Sequence, residues 1–243
     1  MTHPDTTPES PVAADAGPSY GQYCPISRAL DVLGERWSLM ILRDMILGAT
    51  RFNEIARGLP GLSRTLLVKR LRQFERAHIV EHVDGEYHLT EAGRDLEPLV
   101  FSFGEWGARW IFGDPNPAEL DAQLLAWWMH DRLDIDILSG VLASERQVLH
   151  LRFSDDPRWF WIVVDHGMPS VCDSDPGFEV DVTLRSDLST LYQVWLGRIP
   201  ISEALRSGRL TIDGSRAMKE ALPRVLKLSQ AAPLVSAAAA QKE

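Results

Sequence analysis

The sequence predicts an α+β protein built as two domains in series, and three features carry that expectation. Residues 21–113 keep a helical apolar period that yields once, to two short β patterns around Asp84-Gly85. A Gly113-Asp114-Pro115-Asn116-Pro117 break follows. Beyond it, strand and helix patterns segregate along the chain, as in an α+β domain. At 243 residues the chain has room for both.

The first domain builds up in order. Cys24-Pro25 precedes a helix with Ile26, Ala29, Leu30 and Leu33 inward, ending near Gly34. Trp37 to Leu47 reads as a second helix with Gly48 as its stop. Arg51 to Arg57 is a short third helix, and Leu59-Pro60-Gly61-Leu62 is a turn. Ser63 then caps a fourth helix, its hydroxyl taking an otherwise free backbone N–H. On it Leu67, Leu71 and Phe74 share one face at i, i+4, i+7 spacing, with Thr65, Lys69 and Arg72 opposite. Ile79–Val83 and Glu86–Leu89 form a hairpin about Asp84-Gly85. Three helices, a basic fourth-position reader and a hairpin give the order of a winged helix-turn-helix domain, with the hairpin as wing.

Thr90 caps a last helix expected to run to about Ile111, with Pro98 kinking it or restricting its start. Leu96, Leu99, Phe103, Trp106 and Trp110 make an a/d-like seam. That seam either packs on the chain's own second domain or joins two copies. The homodimer is preferred, because paired half-sites on DNA need a two-fold protein.

Net charge is −9, which by itself disfavours nucleic acid. The distribution reverses that. Residues 21–113 hold twelve basic and twelve acidic groups, and residues 64–76 hold five basic groups against Glu75. Phosphate binding needs the local strip more than the total. Arg70 is set apart from the strip as a salt-bridging or packing residue.

In the second half, Ala118–Arg132 is helical. Strand patterns cover Gln147–Phe153, Arg158–Asp165, Pro169–Cys172 and Glu179–Arg185. Helices follow at Leu188–Leu196 and Ile201–Ser207, then a strand at Leu210–Ile212 and a helix over Ser215–Leu228. Residues 1–20 read as a disordered tail lacking signal-peptide character, and Ala231–Glu243 as a frayed end.

The stretch CPISRALDVLGERWSLMILRDMILGATRFNEIARGLPGLSRTLLVKRLRQFERAHIV, with YHLTEAG after it, resembles the HxlR-type winged-helix transcriptional regulators. The resemblance implies a homodimer on a palindromic operator, with the helix after the Pro-Gly-Leu-Ser turn in the major groove. Carried onto this chain, Ser63, Arg64 and Thr65 open the reading helix. Lys69 and Arg72 are expected on phosphates, which set affinity rather than specificity. Arg64 is left between guanine and phosphate. The wing departs from the family, since Glu81, Asp84 and Glu86 repel phosphate and only His82 and His88 compensate. Cys24 stands where the family often places a cysteine, in some members a redox switch. A small buried hydrophobe at a dimer contact is the plainer reading.

EVDVTLRSDLSTLYQVWLGRIPISEALRSGRLTIDGSRAMKEALPRVLKL resembles the sterol-carrier-protein-2-like fold. This implies a mostly antiparallel sheet packed with helices over residues 118–230, enclosing an apolar cavity for a lipid or another hydrophobic small molecule. Trp127, Trp128, Trp159, Trp161 and Trp195 are its candidate lining, although ordinary core also accounts for each ring. Alternation puts Trp159 and Trp161 on one face of their strand and Phe160 on the other.

No catalytic motif, metal-ligand spacing or cofactor loop is found, so a non-enzyme is expected. His166 beside Asp165 is read as a loop histidine and not a preformed dyad. Two cysteines and the lack of a long apolar run suggest the cytoplasm, with no membrane partner. The expectation is a homodimeric repressor that binds double-stranded DNA and responds to a hydrophobic ligand. A lipid binder with a vestigial DNA module and a regulator switched through Cys24 are the alternatives.

Overall fold

The computed structural model describes residues 19–142 and 144–240. The tail expected over residues 1–20 lies almost wholly outside them. Two compact units divide the chain, Met1–Val100 and Phe101–Glu243. The division falls upstream of the Gly113 break, inside a helix.

In the first unit, helices α1 (Pro25–Leu33), α2 (Ser38–Ile46), α3 (Phe52–Gly58) and α4 (Arg64–Arg76) precede strands β1 (Val80–Val83) and β2 (Glu86–Leu89). The strands pair antiparallel, with Val83 opposite Glu86. Asp84 and Gly85 both have positive φ, 53° and 85°, which is the backbone of a two-residue type I′ turn. Ile41, Leu42, Ile55, Leu67, Leu71 and Phe74 make one closed core, so the predicted stripe of α4 is its buried side. Each such side chain stabilises the unit by about 1.5–3 kcal/mol.

The helix expected to run from Thr90 to Ile111 is broken in two. Helix α5 (Glu91–Arg94) is a single turn capped by Thr90, and α6 (Glu97–Trp110) starts afresh. Pro98 sits in the first turn of α6, where its missing N–H costs nothing.

In the second unit a 3-10 turn at Pro117–Glu119 and α7 (Ala122–His130) replace the single helix expected over Ala118–Arg132. Asp121 is the reason, because its carboxylate caps Gln123 and Leu124 and restarts the helix there. Helix α8 (Ile135–Val141), capped by Asp134, was not foreseen. Strands β3 (Arg146–Phe153), β4 (Trp159–Asp165), β5 (Met168–Cys172), β6 (Val182–Ser186) and β7 (Leu210–Gly214) form one sheet in the order β5-β4-β3-β6-β7. Only the β3–β6 pair is parallel. Helices α9 (Leu188–Trp195), α10 (Ile201–Arg206) and α11 (Arg216–Val225) join α7 and α8 in packing on one face of this sheet.

The C-terminal stretch expected to fray instead forms α12 (Ala232–Ala240). Val235 and Ala238 are buried with Ala108 of α6. Gly104 of α6 faces Leu234 so closely that a Cβ there would come within 2.8 Å of its Cδ1. Alanine-rich sequence has high helix propensity, and the small residues on both helices let the backbones approach.

Candidate nucleic-acid interface

Helix α4 begins where Ser63 Oγ accepts the backbone N–H of Leu66 at 3.2 Å. Such a cap contributes about 1 kcal/mol. With Leu67, Leu71 and Phe74 fixed inward, helical geometry sends Ser63, Arg64, Thr65, Lys69 and Arg72 outward, and all five are exposed. Arg70 is the contrast. It is buried, and its guanidinium donates to Glu35 and Gln73 at 2.7 Å each and to the Arg36 carbonyl at 3.3 Å. Arg70 therefore ties α4 to the loop before α2, as its exclusion from the basic strip anticipated.

Arg64 is held in place. Its Nη2 donates to Asn53 Oδ1 at 2.5 Å, and its Cζ lies 5.0 Å from the Phe52 ring centroid. Residue spacing carries no direct sign of this. Phe52 packs against the core of the first unit, and Asn53 beside it faces the start of α4. The missing signal was a cross-turn contact between α3 and the start of α4.

The wing's acidity is partly internal. Arg51, at the N-terminus of α3, bonds Glu86 at 3.0 Å, and Tyr87 N–H donates to the Thr50 carbonyl at 2.7 Å. These contacts fasten the base of the wing to the helix-turn-helix. Glu81 and Asp84 stay exposed, so the repulsion foreseen from the sequence is reduced but not removed. His82 stacks on Tyr87, ring centroids 4.1 Å apart.

Cys24 is the partly exposed N-cap residue of α1 and is a free thiol. Arg28, one turn further along α1, reaches Asp31 at 3.8 Å.

The five tryptophans do not converge. Trp195 is in the core between sheet and helices, and Trp128 packs at its margin, edge-on to Tyr192. Trp127 stacks near His130 with centroids 4.2 Å apart. Trp159 and Trp161 lie on the opposite face of the sheet from Phe160, as alternation required, and so away from that core. There Trp161 stacks against His150 at 4.7 Å and 4°, and Arg152 covers Trp159 at 4.4 Å. Burial, with Arg152 and Arg185 nearby, pushes the His150 pKa down from its usual value.

His166 lies in a turn, as the loop reading held, but its expected separation from Asp165 is corrected. His166 Nδ1 does reach Asp165 Oδ1, at 3.1 Å, and its Nε2 reaches Glu145 at 3.2 Å. The two-face alternation of a strand does not apply, because His166 leaves β4 in a left-handed turn with φ 50°. The group is exposed and its acids are ion-pairing partners, with Arg146 on Asp165 at 3.2 Å.

An exposed basic helix after a short helix and tight turn, followed by a hairpin wing, defines a winged helix-turn-helix transcriptional regulator. The chain belongs to the HxlR-like helix-turn-helix family, whose model matches residues 32–114. It is 33% identical over 107 residues to an HTH-type transcriptional regulator of Synechocystis sp., covering 40% of this chain and 79% of that protein. To the regulator YybR of Bacillus subtilis it is 40% identical over 91 residues, covering 35% and 73%. A solved structure of quinone-bound YodB from B. subtilis is 35% identical, covering 35% of this chain and 96% of that one, with a TM-score of 0.33. The model of the SCP-2 sterol transfer family matches residues 138–227. Among the described residues no helix is long and apolar enough to cross a membrane.

Proposed function

We propose that the protein is a cytoplasmic, homodimeric repressor that reads a palindromic operator through Ser63, Arg64, Thr65, Lys69 and Arg72. A hydrophobic small molecule bound by the second domain modulates it. The observation that carries the reading is α4 itself: an apolar face closed into the core, and an outer face of hydroxyl and cationic groups left to solvent beside a tethered wing. Lys69 and Arg72 make no hydrogen bond or ion pair among the described residues, as suits groups that neutralise phosphate. The match to the SCP-2 sterol transfer family supports a ligand of low polarity. A ligand that prefers the geometry unable to bind DNA weakens binding by its differential affinity for the two states. The protein acts by binding, with no catalytic step.

The test is a mobility-shift titration of DNA upstream of the protein's own gene at several salt concentrations. Lys69→Ala is expected to weaken binding on every duplex and to flatten the slope of log K against log[salt] by about 0.9. An unchanged affinity and slope would remove Lys69 from the interface. The alternative thiol switch rests on Cys24, free and partly exposed. It requires that Cys24→Ser abolish the response, whereas a ligand sensor would keep its response in that variant. A lipid binder with a vestigial DNA module would show no sequence preference at all.

A further inference from the structure

We propose that Asn53 is a positioning residue for base reading, holding Arg64 as a preformed fork for guanine. This deepens the operator reading and rests on it. Three observations place the fork. Arg64 Nη2 donates to Asn53 Oδ1 at 2.5 Å, and the guanidinium carbon lies 5.0 Å from the centre of the Phe52 ring. Phe52 is itself packed against the core of the first unit, so its ring is a fixed platform. Asn53 and Arg64 are both exposed, so the bond serves no buried polar group and is not demanded by folding.

Position on the helix favours guanine over phosphate. A phosphate can also take a two-point contact from arginine, so position decides: Arg64 opens α4, and the first residues of a reading helix are the ones that meet base edges. A two-point contact with guanine O6 and N7 needs a planar donor pair presented at one angle. Guanidinium has five N–H donors, and Asn53 takes one. Four remain, a second hydrogen on Nη2, both on Nη1 and the one on Nε, enough for the two-point contact. Holding the long side chain before DNA arrives removes rotamer freedom that would otherwise be lost on binding. Lys69 and Arg72, further along the helix, lack such a bracket among the described residues, which separates reading from charge neutralisation on one helix.

Selection of duplexes by the full-length protein from a randomised library, followed by competition with single-base variants of the winner, tests this. Arg64→Lys keeps the charge and loses the fork. It is expected to reduce the preference for guanine at one position of each half-site about tenfold, with the salt slope unchanged. Asn53→Ala is expected to reduce preference at that same position several-fold, and the double variant to be no worse than Arg64→Lys alone. Asn53→Asp, which keeps the accepting oxygen, restores the preference even if overall affinity falls. Thermal melts should match wild type, since both residues are exposed. If Asn53→Ala melts low, Asn53→Leu removes the acceptor while keeping a side chain of similar size. Wild-type preference retained in Asn53→Ala, or Asn53→Asp behaving as badly as Asn53→Ala, would overturn the bracket. Arg64→Lys that weakens all duplexes equally would assign Arg64 to phosphate and overturn it too. Failure of the wild-type protein to enrich any sequence would overturn the operator reading itself.

Discussion

Gly93 shows how one side-chain atom decides a junction. It sits in the single turn of α5, where a Cβ would lie 2.2 Å from the Ile79 carbonyl oxygen. That oxygen already accepts the Thr90 N–H at 3.0 Å, so it is fixed backbone and cannot give way. Gly93→Ala is therefore expected to destabilise the first unit by about 2 kcal/mol or more, read as a lower urea midpoint with an unchanged m-value. The YHLTEAG motif thus ends on glycine because the backbone of Ile79, just before β1, nearly touches α5. On α4, burial was legible for Leu67, Leu71 and Phe74 from spacing alone. The Asn53–Arg64 bond was not, because it joins residues of different elements whose proximity only the turn geometry creates.

Helix α6 carries the element with the plainest unmet need. Phe103, Trp106 and Trp110 are 57%, 57% and 63% exposed. Its small residues Gly104 and Ala108 meet α12 instead. The seam foreseen from the 3, 4, 3, 4 spacing is thus apolar and, at Phe103, Trp106 and Trp110, left exposed among the described residues. Soluble monomers rarely leave such contiguous rings to water, so a second copy is the occupant the proposed two-fold operator reading supplies. Phe103→Ser with Trp106→Ser is expected to convert a dimer to monomer in analytical ultracentrifugation. Lost avidity would then weaken operator binding about a hundredfold. A double variant that sediments as wild type would place the dimer contact elsewhere. In sequence α12 looked like a frayed tail, since alanine repeats show no amphipathic pattern and only a close-fitting partner helix reveals their use.

Taken whole, the chain joins two units with separate cores. In the second unit His150 is buried, stacked on Trp161, and its pKa is lowered chiefly by burial. The unfolded chain binds a proton near pH 6.5, whereas the folded state resists it. Between those two pKa values the unfolded state holds more protons, so stability is full above about pH 7 and declines as pH falls through 6.5. Calorimetry at pH 7.5 and 5.5 is expected to show the second unit's transition moving down in acid. His150→Phe keeps a stacking ring and cannot titrate, so it should abolish that shift. An unaltered shift in His150→Phe would assign the acid sensitivity to other groups.

Local periodicity, caps and the Asp84-Gly85 turn determined the helices, the wing and the exposed basic face of α4. These depend on interactions between residues close in sequence, which the order of amino acids states directly. Tertiary structure alone decided that Arg64 is bracketed, that Glu86 is tied by Arg51, that α12 is ordered, and that the tryptophans divide between two faces of one sheet. Each of those depends on which distant residues come within a few ångströms, and folding sets that distance where sequence spacing does not.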